Sequence, residues 1–174
     1  EEYAEKYADV MIKDRKAPSG AYGTHVHPLL VATLNSSGTI IEFGTGDFST
    51  PIFHEISKFQ NRKLISYDDS PEWHKNFTDM RSDMHEFKLV ENWSDIPVQK
   101  CGLVLIDHAP AERRVVDLDR FKDHAQILVV HDTDKMKYYG YAPYFKKFKY
   151  IYKYERYSKS TTLVSNFIDV SKLF

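Results

Sequence analysis

Residues 39–51, TIIEFGTGDFSTP, are the most informative part of this chain about its fold. A short apolar run ends in Glu42, and two glycines, Gly44 and Gly46, precede a Ser-Thr-Pro segment that suits the first turn of a helix. This order predicts a strand that turns through glycine into a helix, where backbone amides approach a ligand closely. A second strand, LISYD, ends in Asp68, and an acidic residue at this place of an α/β unit typically holds ribose hydroxyls.

The length and composition are those of one globular domain. The chain has 174 residues, of which 42% are apolar and 28% charged, enough for a core without disulfide staples. The formal net charge of −1 gives no basic field of the kind that nucleic-acid binding favours. Cys101 is the one cysteine, so an internal disulfide is excluded and a reducing, cytoplasmic location is expected.

No segment is typical of a membrane anchor or a signal peptide. The apolar runs are all shorter than the roughly 20 residues that a membrane-spanning helix needs. The first residue is Glu1 rather than Met. One expectation is therefore that the single domain at 1–174 is part of a longer multidomain chain.

Apolar runs and helical periodicities alternate along the chain. Together with a final pair of β-rich runs, they predict a three-layer Rossmann-like α/β sandwich, with a mostly parallel seven-stranded sheet that ends in an antiparallel hairpin. The predicted strands cover 39–43, 63–67, 86–90, 102–107, 125–132, 147–154 and 161–167, and the predicted helices cover 1–13, 27–34, 50–59, 70–81 and 113–121.

Acidic residues and histidines gather at the predicted strand ends. Asp107 and His108 follow the fourth strand, and His131 and Asp132 follow the fifth. Since ligands of open α/β sheets bind at the carboxyl ends of the strands, these residues are candidates for a site. The alternative is that polar residues simply collect where strands leave the core.

At residues 39–51 and at Asp68 the chain resembles the class I S-adenosylmethionine-dependent methyltransferases. In that family an acidic residue precedes three alternating glycines, and here Phe48 takes the third glycine position. The dinucleotide-binding dehydrogenases match less well, because GTGDFS at 44–49 lacks the last glycine of their G-x-G-x-x-G fingerprint. The resemblance covers nearly the whole chain and implies S-adenosylmethionine as the cofactor.

The resemblance also implies which residues bind the methyl donor. The glycines would pass under its methionine part, Glu42 would reach its amino group, Asp68 would hold both ribose hydroxyls, and Asn92 and Trp93 would border the adenine. His25 and His27 lie in a loop similar to the one that meets the donor carboxylate, although a loop histidine is often only exposed. The implied cofactor-binding set is His25, Glu42, Phe43, Gly44, Thr45, Gly46, Asp68, Asn92, Trp93, Asp107 and His108.

The segment LVLIDH at 103–108 resembles, more narrowly, the divalent-metal-dependent O-methyltransferases such as catechol O-methyltransferase. That resemblance implies Asp107 and Asp132 as ligands of Mg²⁺ or Mn²⁺, which prefer oxygen, with Thr133 or alternatively Asp134 offering the third oxygen. The ion would clamp two acceptor oxygens and lower the pKa of one hydroxyl. Pro110 stands where that family has a lysine base. The catalytic candidates are therefore Asp107, His108 and His131.

Tyrosines and phenylalanines are concentrated among lysines at 135–157. Their flat faces suit a sugar or phenol acceptor, stacked nucleobases are a further possibility, and packing in the core is the alternative for many of them. The prediction is an O-methyltransferase that acts on a sugar, glycan or other small-molecule hydroxyl, without a nucleic-acid partner. A methyltransferase acting on RNA or protein, and a binding module with the same fold but no catalysis, stay open.

Overall fold

The protein forms one seven-stranded sheet in a computed structural model that describes residues 23–174. The predicted helix at 1–13 lies outside the described residues. The strand order is β3-β2-β1-β4-β5-β7-β6. The strands are β1 (Ile40–Phe43), β2 (Leu64–Asp68), β3 (His85–Leu89), β4 (Cys101–Ile106), β5 (Ala125–Val130), β6 (Tyr150–Tyr154) and β7 (Thr161–Ser165).

The first five strands are parallel, and the last two form an antiparallel hairpin beside β5. In the parallel part Ile41 lies opposite both Ile65 of β2 and Val104 of β4. In the antiparallel part Val129 of β5 pairs with Leu163 of β7. Every residue of β4 is buried, as its continuous apolar run predicts for a central parallel strand. The predicted sheet with its terminal hairpin is confirmed.

Helices cover both faces of the sheet and make it three-layered. The helices are α1 (Val26–Leu34), α2 (Ser49–Gln60), α3 (Pro71–His74), α4 (Arg114–Phe121) and α5 (Tyr141–Phe145). Alternate residues of β1 point to opposite faces, so Ile41 and Phe43 share one core with α4 and α5, while Ile40 shares the other with α1 and α2. No helix of this described part is long and apolar enough to cross a membrane.

Helix α3 is shorter than its sequence predicts. The predicted span of 70–81 is reduced to Pro71–His74, followed by a separate 3₁₀ turn at Thr78–Met80. Ser70 caps the start as expected, because its side chain accepts a hydrogen bond from the Trp73 amide. No residue of α3 is buried, so the helix has no apolar face against the core to stabilise further turns.

Candidate functional site

A cavity of about 340 Å³ lies at the carboxyl ends of β1, β2 and β4. This is the edge at which open α/β sheets bind ligands, and the volume falls within the roughly 300–1,000 Å³ of small-molecule pockets. The cavity is lined by Gly44, Thr45, Asp68, Asp69, Ser70, Trp73, Trp93, Asp107, His108 and Ala109.

The Gly44 backbone lies directly against the chain that leaves β4. Its φ is +87°, and a Cβ at this position would come within 2.9 Å of the His108 Cα and 3.0 Å of the Asp107 carbonyl oxygen. Only glycine tolerates both the positive φ and this approach. Gly46 has a different role, since its amide donates a hydrogen bond to Thr50 Oγ1 at the start of α2.

Asp68 lies in the cavity wall with most of its hydrogen-bonding capacity in use. Its Oδ2 accepts from the Thr45 amide (2.8 Å) and the Thr45 hydroxyl (2.7 Å), and its Oδ1 accepts from the Ser70 amide (2.9 Å). A carboxylate offers about four acceptor positions, so this arrangement leaves room for one more donor. The sequence predicts bonds to two ribose hydroxyls, and the second would require the Thr45 hydroxyl to turn away.

Glu42 does not line the cavity. It is fully buried beneath the start of α2, where Oε1 accepts from Ser49 (2.6 Å) and Thr50 (2.9 Å), and Oε2 accepts from Ser66 (2.5 Å). Burial raises the pKa of this carboxyl to about 7, although the three hydroxyl donors oppose the shift. Through these bonds Glu42 holds the start of α2 against β1 and β2. The predicted contact of Glu42 with the amino group of the methyl donor is not available in this arrangement, so other atoms would have to make it.

Two tryptophans form part of the cavity wall. The Trp93 ring lies 4.3 Å from the His108 ring, centroid to centroid, and Trp93 Nε1 donates to Asp69. Trp73 Nε1 donates to the Thr45 carbonyl oxygen, and its ring is 41% exposed. Trp73 is absent from the predicted site, although its place in the first turn after the acidic end of β2 is a usable signal.

Phe43 and Asn92 support the cavity without lining it. The fully buried Phe43 ring packs against the rings of Trp93 and His108, with centroid-to-centroid distances of 5.7 Å and 5.4 Å. Asn92 is exposed, and its side chain accepts from the Ser94 amide to cap a 3₁₀ turn at Trp93–Asp95. The predicted contact of Asn92 with adenine has no counterpart in the lining.

The ends of β4 and β5 carry a polar cluster beside the cavity. The Asp107 amide donates to Phe43 and the His131 amide to Ile106, which continues the sheet pairing past both strand ends. As a result, His131 Nδ1 lies 3.2 Å from Asp107 Oδ2. The other ring nitrogen, Nε2, lies 3.0 Å from Thr24 Oγ1.

His25 completes this cluster from the turn before α1. Its ring centroid is 4.5 Å from that of His131. Ligand atoms of His25, Asp107 and His131 all lie within 4.8 Å of one another. The turn depends on Gly23, whose φ is +80° and whose added Cβ would meet the Phe48 ring at 2.8 Å. The sequence predicts each of these three residues as a site candidate, but it does not predict that they lie close together.

Burial and neighbouring charges set the protonation of the cluster. Burial, together with the neighbouring His131, lowers the pKa of His25 to about 3, so its imidazole is neutral. Burial would raise the pKa of Asp107, but His131 and Arg114 hold it well below its usual range. Burial would lower the pKa of His131, but the Asp107 carboxylate raises it above its ordinary value. Asp107 is therefore ionised, and His131 keeps its second ring proton to a higher pH than a free histidine does.

Arg114 holds the two strand ends in place. This buried guanidinium lies 3.0 Å from Asp107 Oδ1 and 3.6 Å from Asp132 Oδ2. It also donates to the backbone carbonyl oxygens of Asp107, His108 and His131. Lys159 lies 3.4 Å from Asp132 Oδ1, so Asp132 is an ion-paired residue at the rim of the cluster.

His108 lines the cavity but faces the core with its ring. Its Nε2 lies 3.1 Å from Oδ2 of the fully buried Asp117, to which Arg113 and Arg120 also bind. Burial lowers the pKa of His108, although Asp117 opposes the shift. Its backbone is what borders Gly44, so its role in this arrangement is to shape the wall.

Two further predicted residues lie apart from the cluster. The buried Thr133 hydroxyl bonds with Ser160 Oγ (3.0 Å) and Thr162 Oγ1 (2.8 Å), so its predicted place as a metal ligand has no support in this geometry. His27 is buried against the rings of Tyr154 (5.1 Å) and Phe174 (5.7 Å).

The aromatic segment at 135–157 belongs largely to the core. Tyr141, Phe145, Phe148 and Tyr154 are buried, whereas Tyr138 is 82% exposed. Packing on the sheet and α4 therefore explains many of these side chains, and the predicted acceptor wall is reduced to the exposed ones.

No family model and no curated protein sequence matches the chain, but solved structures share its fold. The SAH-bound methyltransferase PaMTH1 of Podospora anserina matches with a TM-score of 0.65 and 10% identity, covering 94% of this chain and 95% of that one. The ribosomal protein L11 methylase of Lactobacillus delbrueckii subsp. bulgaricus matches with a TM-score of 0.63 and 13% identity, covering 87% and 82%. The N-terminal domain of human METTL16 in complex with SAH matches with a TM-score of 0.55 and 10% identity, covering 83% and 69%.

Two further similar structures bear on the predicted acceptor and partners. One similar structure is a complex of a methyltransferase with the Trm112 activator of Haloferax volcanii, and another is METTL16 with the MAT2A 3′UTR hairpin 1. They give no support to a sugar acceptor, to Mg²⁺ or Mn²⁺, or to the absence of a nucleic-acid partner. At these identities the likeness concerns the fold, and the chain has the Rossmann-like α/β fold of the class I methyltransferases.

Proposed function

We propose that this protein is an S-adenosylmethionine-dependent methyltransferase. The observation that carries the proposal is the cavity beside Gly44, which joins a close backbone approach, the Asp68 carboxylate, two tryptophan rings and the Asp107–His108 strand end. The SAH-bound structures of the same fold support it.

The residues of the cavity fit the chemical parts of the donor. The free acceptor position of Asp68 suits a ribose hydroxyl. The Trp73 and Trp93 rings offer apolar faces for the adenine. S-adenosylmethionine supplies a methyl group on a positively charged sulfur, and the Asp107 carboxylate in the cavity wall favours that charge.

We further propose that the acceptor atom is an oxygen, in a sugar or another small molecule. An oxygen acceptor must lose its proton when it takes the methyl group, and the cluster beside the cavity holds a suitable group. One ring nitrogen of His131, Nδ1, lies beside the Asp107 carboxylate, and the other, Nε2, lies within hydrogen-bond distance of the Thr24 hydroxyl. When the His131 ring is neutral, an acceptor hydroxyl in the same place would give its proton to Nε2 as its oxygen bonds to the methyl carbon and the carbon–sulfur bond breaks.

An RNA or protein acceptor is the second candidate. It is favoured by the similar folds of METTL16, solved with an RNA hairpin, and of the L11 methylase. Incubating the protein with labelled donor and either small saccharides, RNA or protein separates the two candidates by which fraction carries the label.

The chain has two tryptophans, and both line the cavity. Titration with S-adenosylhomocysteine should therefore change the intrinsic fluorescence with saturation at micromolar concentration. The single variants Trp73→Phe and Trp93→Phe should each lose part of the signal, and NAD⁺ at the same concentration is the control ligand. A flat titration together with no heat in calorimetry would rule out the proposed cofactor.

A further inference from the structure

We propose that His25, Asp107 and His131 bind one divalent transition-metal ion, of the kind of Zn²⁺ or Co²⁺. The site lies where the turn before α1 meets the ends of β4 and β5. Binding of the ion does not depend on the methyl donor. Only its use in catalysis, considered below, rests on the proposed function.

The spacing of the three side chains is close to that of a coordination sphere. Bonds of about 2.0–2.1 Å in a tetrahedral site place neighbouring ligand atoms about 3.3 Å apart. Asp107 Oδ2 and His131 Nδ1 already lie 3.2 Å apart. The largest separation in the cluster is no more than 4.8 Å, so His25 has to move by roughly 1.5 Å at most to complete the sphere.

His25 provides an independent reason for a ligand. The residue is only 5% exposed, and neither ring nitrogen has a hydrogen-bond partner within residues 23–174. A buried polar group without a partner costs on the order of 1–3 kcal/mol. An ion between His25 and the other two residues would supply the missing partner.

The surroundings hold two of the ligands in a binding orientation. Ligating histidines usually engage their second nitrogen with an outer partner, and His131 Nε2 has Thr24 Oγ1 at 3.0 Å. Arg114 binds Asp107 Oδ1 at 3.0 Å, which leaves Oδ2 directed at His131. Both ligands are therefore oriented without the ion.

The donor atoms decide which ion is preferred. Two imidazole nitrogens and one carboxylate oxygen suit Zn²⁺, Co²⁺ and related ions, whereas Mg²⁺ and Ca²⁺ prefer oxygen alone. The set differs from the oxygen ligands Asp107, Asp132 and Thr133 that the sequence indicates. Three protein ligands leave an open position for water or for an acceptor oxygen, as in catalytic rather than structural sites.

With the ion in place, His131 is a ligand rather than a base. An acceptor hydroxyl at the open position would then have a lowered pKa and would release its proton to solvent water. This lowered pKa is the chemistry that the ion would supply to the proposed function, and direct measurement of metal binding separates the two roles of His131.

The test is metal binding by the untagged protein after treatment with a chelator. Samples are equilibrated with Zn²⁺, Co²⁺ or Mg²⁺, freed of excess ion by gel filtration and analysed for metal. One equivalent of Zn²⁺ or Co²⁺ per chain is expected, with no displacement by excess Mg²⁺. The visible spectrum of the Co²⁺ form should show the d–d bands of a site with nitrogen ligands, and this readout needs no variant.

His25→Ala should weaken Co²⁺ binding by at least about 100-fold, since even outer partners of metal ligands contribute about 10–100-fold. His27→Ala, two residues away and buried, and His124→Ala, on the surface, are the matched controls and should retain it. Thermal unfolding checks that each variant folds. Less than stoichiometric metal, a preference for Mg²⁺, or binding that survives His25→Ala would each overturn the proposal. Binding of S-adenosylhomocysteine in the same samples reports separately on the proposed function.

Discussion

Thr45 donates two hydrogen bonds to one oxygen of Asp68, from its amide at 2.8 Å and its hydroxyl at 2.7 Å. These bonds tie the glycine turn after β1 to the end of β2, so the two halves of the cavity wall are joined through a single carboxylate. Because the Ser70 amide occupies the other oxygen, Asp68 is a structural as well as a ligand-binding residue.

Asp68→Asn should therefore harm both stability and donor binding. Whichever way the new amide is turned, its NH₂ faces a backbone N–H, of Thr45 or of Ser70. We expect a loss of about 1–3 kcal/mol in the free energy of unfolding, and about 10- to 100-fold weaker binding of S-adenosylhomocysteine. Urea unfolding and calorimetry measure the two effects. Asp83→Asn, at an exposed aspartate outside the cavity lining, is the control, and equal losses in both variants would contradict the assignment.

Gly44→Ala and Gly140→Ala form a matched pair. Both glycines have positive φ, +87° and +69°, so alanine is strained at either, by roughly 1–2 kcal/mol. At Gly44 the new Cβ also meets the His108 backbone at 2.9 Å, whereas at Gly140 it meets nothing within 4 Å. Gly44→Ala should be the more destabilised and should lose donor binding. Similar melting temperatures and affinities in the two variants would show that the close approach does not matter.

Glu42 makes stability depend on pH. Its pKa is raised from 4.5 to about 7 in the fold, so between these values the folded state binds more protons than the unfolded state. The stabilisation is fully present below pH 4.5 and is lost as the pH rises through 7, with an upper limit of about 3 kcal/mol.

Glu42→Gln should remove this part of the pH dependence. The free energy of unfolding of the wild type, measured with urea, should fall from pH 5 to pH 8 by more than that of the variant. Glu55→Gln, on the exposed side of α2, should keep the wild-type slope. The same slope in the wild type and in Glu42→Gln would contradict a buried carboxyl with a raised pKa.

Arg114→Lys should loosen the ends of β4 and β5. Lysine keeps the charge near Asp107 but cannot reach the three backbone carbonyl oxygens that the guanidinium binds. Loss of these bonds should cost about 2 kcal/mol in the free energy of unfolding. Hydrogen exchange at residues 107–108 and 131–132 should become faster, while Arg81→Lys, at an exposed arginine, should change neither property. Unchanged exchange in Arg114→Lys would exclude the clamp.

The fold and the edge at which the site lies follow from local sequence signals. Continuous apolar runs such as CGLVLI at β4 can be buried only between two layers, and Gly44 and Asp68 mark the ends of the strands that meet at the cavity. These signals are local, because strand, turn and cap chemistry depend on residues within a few positions of each other.

The contacts between polar residues that are distant in sequence are a property of the folded chain and do not follow from local signals. Glu42 is turned under α2 and Thr133 towards β7, although both stand at strand ends like Asp107. His25 meets His131 across 106 positions of the chain, and Trp73 joins the cavity wall from α3, where its ring nitrogen donates to the Thr45 carbonyl oxygen. The direction of a side chain and its long-range contacts depend on how the helices pack on the sheet. Residues that are neighbours in sequence do not determine that packing, so local patterns do not predict these contacts.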